Sequence, residues 1–254
     1  MSLDAAPPTS APPRRVRPAA AVALTYQIVL RQLMGWGRIV ALTLLSSVAI
    51  VAGFAHGASD TATLDDAVRM IAALGFAVIV PVVSLVFGGA SIGDLREDKT
   101  LVYLWLRPID RWPIVLGAAL AALTLAAPIA LVPLLVGAAL TGAGSGIVVG
   151  TLIAGVVGVI AYVAVFTMLG VWLRRFIVWG LAYILIWEGF IAQAGPGVAR
   201  VAIRKYTRSI LVARTGAKLD LADFSMAVGV VVPLIVAVAA IAVAAWRLAH
   251  QDID

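Results

Sequence analysis

Residues Ser91–Gly117 read SIGDLREDKTLVYLWLRPIDRWPIVLG, and their reading decides the fold class. The stretch carries Asp94, Arg96, Glu97, Asp98, Lys99, Arg107, Asp110 and Arg111. Yet it lies between two apolar runs, each long enough to cross a bilayer as a helix. Of the 254 residues, 63% are hydrophobic and only 13% charged, against roughly 25% charged in a soluble domain. Mean hydropathy is +1.06. Charges gathered at one place in such a chain belong in water, where they meet a partner, and the flanking runs belong in lipid. The chain reads as an all-α integral membrane protein.

Outward from this stretch, apolar runs predict six transmembrane helices, at about 39–55, 69–90, 113–140, 147–173, 176–194 and 225–246. Pro81 falls inside the second, and Pro128 and Pro133 inside the third, where neighbouring helices can satisfy the freed carbonyls. Thr63 is placed to cap the second, with Asp65 and Asp66 near its positive end. Ahead of the first span, LTYQIVLRQLMGW (residues 24–36) sets Leu24, Ile28, Val29, Leu33 and Trp36 at helical spacing. That spacing predicts an N-terminal amphipathic helix lying in the membrane interface, or else a cytoplasmic extension of the first span. Residues 1–20, rich in Pro and Ala, read as a disordered cytoplasmic tail ahead of a membrane domain at 21–254.

Gly195-Pro196-Gly197 ends the fifth run, and 198–214 reads as a cationic amphipathic helix, a broken helical excursion between the last two spans. Lys and Arg gather at Arg14–Arg38, Arg96–Arg111, Arg174–Arg175 and Arg247, so these segments are assigned to the cytoplasm with both termini. Arg200, Arg204, Lys205, Arg208, Arg214 and Lys218 disagree, because six spans put them outside. Either a basic helix rests on outer-leaflet headgroups, or the fifth run is re-entrant.

The formal charge of +6 reflects this retention of cations and attraction to anionic lipids, not nucleic-acid binding. Cysteine is absent, which excludes disulfides and thiolate metal sites. His56 and His250 are unconnected, and HExxH, GxSxG and GxxxxGK[ST] do not occur, so no catalytic residues, metal site or nucleotide site are assigned. Glu188 is the one acid inside an apolar run, toward the outer end of its span. It is open between a structural ion pair and a residue lining a translocation path. Arg200, Arg204 and Arg208, with Lys205 beside them, are open between a headgroup or anion contact and a solvated face. Gly146, Gly150, Ala154 and Gly158 recur every four residues, either to admit a close helix or as ordinary small apolar residues.

Glu97, Thr100 and Leu101, then Arg107-Pro108-Ile109-Asp110-Arg111, then Leu116-Gly117, resemble the loop between the second and third spans of ABC-2-type exporter permeases. That family has an acid before a Gly-Thr pair, a Pro-hydrophobic-Ser/Asp-Arg turn, and a Leu-Gly leading into the third span. Lys99 stands where the family has Gly. The resemblance implies a six-span permease domain in a bacterial cytoplasmic (inner) membrane. It also implies a homo- or heterodimer docked on cytoplasmic ATP-binding subunits, which would hold ATP and Mg. The loop would be the coupling element, through Asp94, Glu97, Asp98, Thr100, Tyr103, Trp105, Arg107, Pro108, Asp110 and Arg111, with Tyr103 and Trp105 supplying apolar contact. Two rivals are a membrane anchor that recruits a soluble partner, and a polytopic lipid-modifying enzyme built on Glu188, His56 and the basic stripe.

Overall fold

The computed structural model describes residues 17–97, 111–191, 200–219 and 222–250. Every regular element among them is helical. In chain order these are α1 (Pro18–Leu33), α2 (Trp36–Gly57), α3 (Leu64–Ile71), a π-helical stretch (Ala72–Ile79), α4 (Val80–Glu97), α5 (Arg111–Leu140) and α6 (Ser145–Trp172). There follow α7 (Phe176–Ala182), a second π-helical stretch (Tyr183–Glu188), α8 (Ile203–Thr215) and α9 (Met226–Ala249). Among the described residues, five helices are long and apolar enough to cross a membrane: Trp36–Gly57, Leu64–Arg96, Arg111–Leu140, Ser145–Trp172 and Met226–Ala249.

The second of these is one rod of 33 residues, because α3, the π stretch and α4 are continuous. Thr63 starts it, its hydroxyl accepting the Asp66 N–H at 3.2 Å. The π stretch ends two residues before Pro81. Proline has no N–H and its ring crowds the carbonyl four residues back. A local i→i+5 turn relieves both constraints without breaking the rod.

The core lies where this rod, α5 and α6 meet, around fully buried Phe76, Phe87, Leu134, Tyr162 and Phe166. Backbones come closest at glycine pairs. A Cβ on Gly53 would collide with the Gly137 backbone, joining α2 to α5, and one on Gly170 would collide with Gly89, joining α6 to α4. In lipid, where apolar side chains gain little by leaving hydrocarbon, such close packing holds helices together.

α1 packs on α5, with a Cβ on Gly117 falling 2.7 Å from the Val22 carbonyl oxygen and 2.9 Å from Thr25 Cβ. Its buried residues are Ala21, Thr25, Val29 and Leu33. Thr25 therefore faces the bundle and Ile28 stays 40% exposed, a rotation of the apolar face away from the one the sequence suggests. The cause is steric: small residues are needed where the helix backbone meets Gly117.

The fifth predicted span, 176–194, takes a different form. Among the described residues there, Phe176–Glu188 forms the continuous helical stretch, as 7 α-helical and 6 π-helical residues. At about 1.5 Å per residue this rises no more than roughly 20 Å, short of the about 30 Å of a bilayer core. Phe176 packs against Gly89 and Gly93, near the end of the rod that leads into the charged segment. Past α8, the Lys218 N–H donates to Asp65 at 3.3 Å, at the opposite end of the rod. The chain from Phe176 to Lys218 thus travels from one end of the bundle to the other in two pieces.

A depth scale follows from one contact. Gly158 lies midway along α6, and Val80 midway along the rod. A Cβ on Gly158 would stand 3.2 Å from Thr207 Cγ2 and 3.4 Å from Val80 Cγ1. Thr207, in α8, is therefore at mid-depth.

Candidate functional site: a buried carboxylate and a cationic helix at mid-depth

Glu188 ends the second π stretch with 3% of its surface exposed. Its Oε1 accepts the Ile203 N–H at 3.0 Å and its Oε2 the Arg204 N–H at 3.1 Å. The Tyr183 hydroxyl donates to Oε1 at 2.9 Å. The carboxylate thus caps the N-terminus of α8 from another element, satisfying two of the N–H groups a helix start leaves open and meeting the positive end of its dipole. These bonds come from Tyr183 and from the backbone of Ile203 and Arg204, and they set the carboxylate about one helical turn along α8 from Thr207.

Its pocket is aromatic. Tyr162 stacks on Phe166 with ring centroids 5.9 Å apart, and Phe166 meets Tyr183 edge-on at 6.0 Å. The Tyr162 hydroxyl is buried beside the carboxylate. Sequence reasoning missed both tyrosines. Tyr183 and Glu188 are five residues apart, on different faces of an α-helix but together where the turn is i→i+5.

The basic stripe divides. The helix begins at Ile203, not near 198, because the Glu188 carboxylate holds the first two N–H groups there. Arg200 is exposed in the turn before it, its carbonyl accepting the Tyr206 hydroxyl at 2.6 Å. Arg204 and Arg208 are partly exposed on one face. Lys205 turns away: its side chain is 4% exposed, Nζ lies 3.2 Å from Asp223 Oδ2, and it sits 4.8 Å above the Phe224 ring. Phe224 also stacks on Tyr206 at 4.9 Å, folding the return segment back onto α8. An unsolvated guanidinium at the centre of a bilayer costs about 2.5–3.5 kcal/mol on insertion scales, so Arg204 and Arg208 need a polar surrounding.

Gly146, Gly150, Ala154 and Gly158 face this helix. Cβ atoms on Gly146, Gly150 and Gly158 would lie 3.1 Å from the Arg214 carbonyl oxygen, 3.0 Å from Leu211 Cδ1 and 3.2 Å from Thr207 Cγ2. Ala154 is fully buried between them.

At the other end, the stem of the charged segment is fastened to two helices. Arg38, at the start of α2, pairs with Asp94 at 2.9 Å. Arg96 donates to the Val171 carbonyl at 2.7 Å, taking up one of the open carbonyls at the C-terminus of α6. Trp112 opens α5 with 47% of its surface exposed, beside Arg111. Asp98, Thr100, Tyr103, Trp105, Arg107, Pro108 and Asp110, and the Glu97 side chain, lie outside the described residues.

No curated protein matches the chain. Residues 26–179 match the family described as ABC-2 family transporter protein. The match spans the charged segment and ends inside α7, ahead of Tyr183, Glu188 and Arg204. It covers more than half of the molecule. The chain belongs to the ABC-2 family of transporter proteins.

Proposed function

We propose that the chain is the permease subunit of an ATP-driven exporter, paired with a second permease and with cytoplasmic ATP-binding subunits that hold ATP and Mg. It carries no catalytic residues itself. The chain passes the membrane six times with both termini cytoplasmic, in a bacterial inner membrane, and α1 lies along the cytoplasmic interface. The fifth pass is the broken one, α7 and its π stretch followed by α8.

The observation that carries this reading is the fastening of the charged segment's stem. Asp94 is joined to α2 through Arg38, and Arg96 to the end of α6. A push on the segment between α4 and α5 therefore reaches four helices at once. Glu97, Asp98, Arg107 and Arg111 offer both signs of charge to a groove on the ATPase, and Tyr103 and Trp105 add contact area. Movement of this segment tilts the rod and α5, which alternates access between two permeases.

The test is recovery of the tagged chain from native membranes in mild detergent, with ATP hydrolysis assayed on the eluate. An ATP-binding protein is expected with the wild type and is lost with Glu97→Ala/Arg107→Ala. No ATPase with a folded wild-type chain would return the anchor reading. The stem has its own test. The Arg38–Asp94 pair is partly exposed, so Arg38→Ala alone is expected to change stability by about 1 kcal/mol. It should nevertheless weaken substrate-stimulated hydrolysis, and Arg38→Asp/Asp94→Arg should recover it. A swap that recovers nothing would show that the pair transmits no motion.

A further inference from the structure

Four tryptophans mark one end of the bundle. Trp36 starts α2, Trp112 is the second residue of α5, Trp172 ends α6 and Trp246 stands three residues before the end of α9. All four are exposed. Exposed tryptophans at the ends of membrane helices sit at headgroup level, where the ring meets acyl chains and the indole N–H meets water. Side chains that share this level stand among lipid phosphates.

Three arginines from separate parts of the chain meet there. Arg96, at the end of the rod, donates to the Val171 carbonyl at 2.7 Å, next to Trp172. Arg247 of α9 lies over the Trp172 ring, 5.8 Å from its centroid. Arg174 follows Trp172 by two residues, in the turn that leads to α7, and is exposed, as is Arg247. The charges acting on Arg96 are those of Arg174 and Arg247, both of its own sign. Asp94, the described carboxylate nearest to Arg96 in the chain, is held by Arg38. Packing thus gathers like charges, which repel unless an anion lies among them.

We propose that Arg96, Arg174 and Arg247 hold the phosphate of an anionic phospholipid, in the leaflet at the end of the bundle that carries the charged segment. A guanidinium offers five N–H donors in a planar fork that matches phosphate oxygens, and the Val171 carbonyl takes up one of those of Arg96. Beyond Arg175, the exposed Ile177, Val178 and Trp179 of α7 give an acyl chain an apolar flank to lie along. That adjoining apolar surface favours a lipid over a free anion. An acidic protein surface would have to reach the cluster among the headgroups, at the level of the tryptophan rings. The site does not depend on the permease reading.

The test is lipid binding by the full chain, purified in mild detergent, stripped of lipid and followed by native mass spectrometry. Phosphatidylglycerol and phosphatidylcholine are added in turn. Wild type is expected to prefer phosphatidylglycerol, because choline cancels the phosphate charge of the other lipid. At about fivefold for each arginine near a membrane surface, Arg174→Gln/Arg247→Gln should lose about 25-fold in affinity for phosphatidylglycerol. Its affinity for phosphatidylcholine should stay as it was. Arg174→Lys/Arg247→Lys should keep most of the preference, which separates charge from folding. Arg200→Gln/Arg214→Gln removes the same charge from exposed positions outside the cluster and should change nothing.

No preference in wild type would overturn the site, and so would equal affinities of wild type and Arg174→Gln/Arg247→Gln in proteins that elute alike. An equal loss in Arg200→Gln/Arg214→Gln would reduce the effect to general attraction between lipid and a cationic protein. Displacement of phosphatidylglycerol by excess inorganic phosphate would assign the cluster to a free anion instead. If Arg174→Gln/Arg247→Gln keeps its lipid and loses a co-purified ATP-binding protein, the arginines belong to that partner's surface and the lipid assignment fails.

Discussion

Glu188 is the residue on which the centre of the bundle depends. It holds the start of α8 by two backbone bonds and receives a third from Tyr183. Replacing it with alanine leaves two buried N–H groups and a hydroxyl without an acceptor, at about 1–3 kcal/mol for each such group. Glu188→Gln keeps one carbonyl oxygen, so its loss should be smaller. Tyr183→Phe removes one donor and should cost about 1 kcal/mol. Thermal unfolding in detergent is expected to rank the variants alanine, glutamine, then Tyr183→Phe, from least stable upward. Equal behaviour of Glu188→Ala and Glu188→Gln would show that the carboxylate does not act as the helix cap. Aspects of this site were hidden in the sequence for two separate reasons. The Tyr183 pairing depends on a π turn, and the bonds to Ile203 and Arg204 join elements whose meeting no local periodicity announces.

At the scale of elements, helix contacts run through points where a side chain has no room. Gly53 and Gly137 bring α2 and α5 together backbone to backbone, whereas Gly37, also in α2, has nothing within 4 Å of where a Cβ would stand. Gly53→Ala is therefore expected to destabilise by at least about 1–3 kcal/mol through overpacking. Gly37→Ala should be neutral or stabilising by up to about 1 kcal/mol, since alanine favours helix. Detergent melting of the two variants checks this, and similar melting points would mean that α2 is not seated on α5 as described. The four-residue stripe from Gly146 to Gly158 was legible as a place for a close helix. Its partner was not, because α8 is too polar to look like something that packs at mid-depth.

For the whole molecule, the broken crossing makes a sidedness prediction. Lys218 lies beside Asp65, at the end of the rod away from the charged segment, while Phe176 lies beside Gly93 at the near end. With no native cysteine, Lys218→Cys should be labelled by an impermeant reagent added outside intact cells, as should Ser59→Cys. Arg174→Cys should react only after the membrane is opened. Labelling of Lys218→Cys solely from the cytoplasmic side would make the fifth apolar run a re-entrant element and reduce the crossings to five. Both outcomes are readable because Arg174 and Lys218 flank the segment in question and are exposed.

The amino-acid sequence by itself determined that this is a helical membrane protein and where four of its long spans and its last one lie. Crossing about 30 Å without unsatisfied backbone groups demands runs of about 20 apolar residues, and such runs are visible one residue at a time. It also exposed the charged segment, since charge in that setting has no apolar explanation, and the family match covers the same ground. Only the tertiary structure decided the fate of 176–218. There the described apolar helix, Phe176–Glu188, is short, the following helix is basic, and each half is tolerable only because the other supplies what it lacks. Glu188 supplies acceptors for the N–H groups of α8, α8 supplies donors for Glu188, and the glycine face of α6 supplies the space. Such reciprocal satisfaction is a property of packed neighbours.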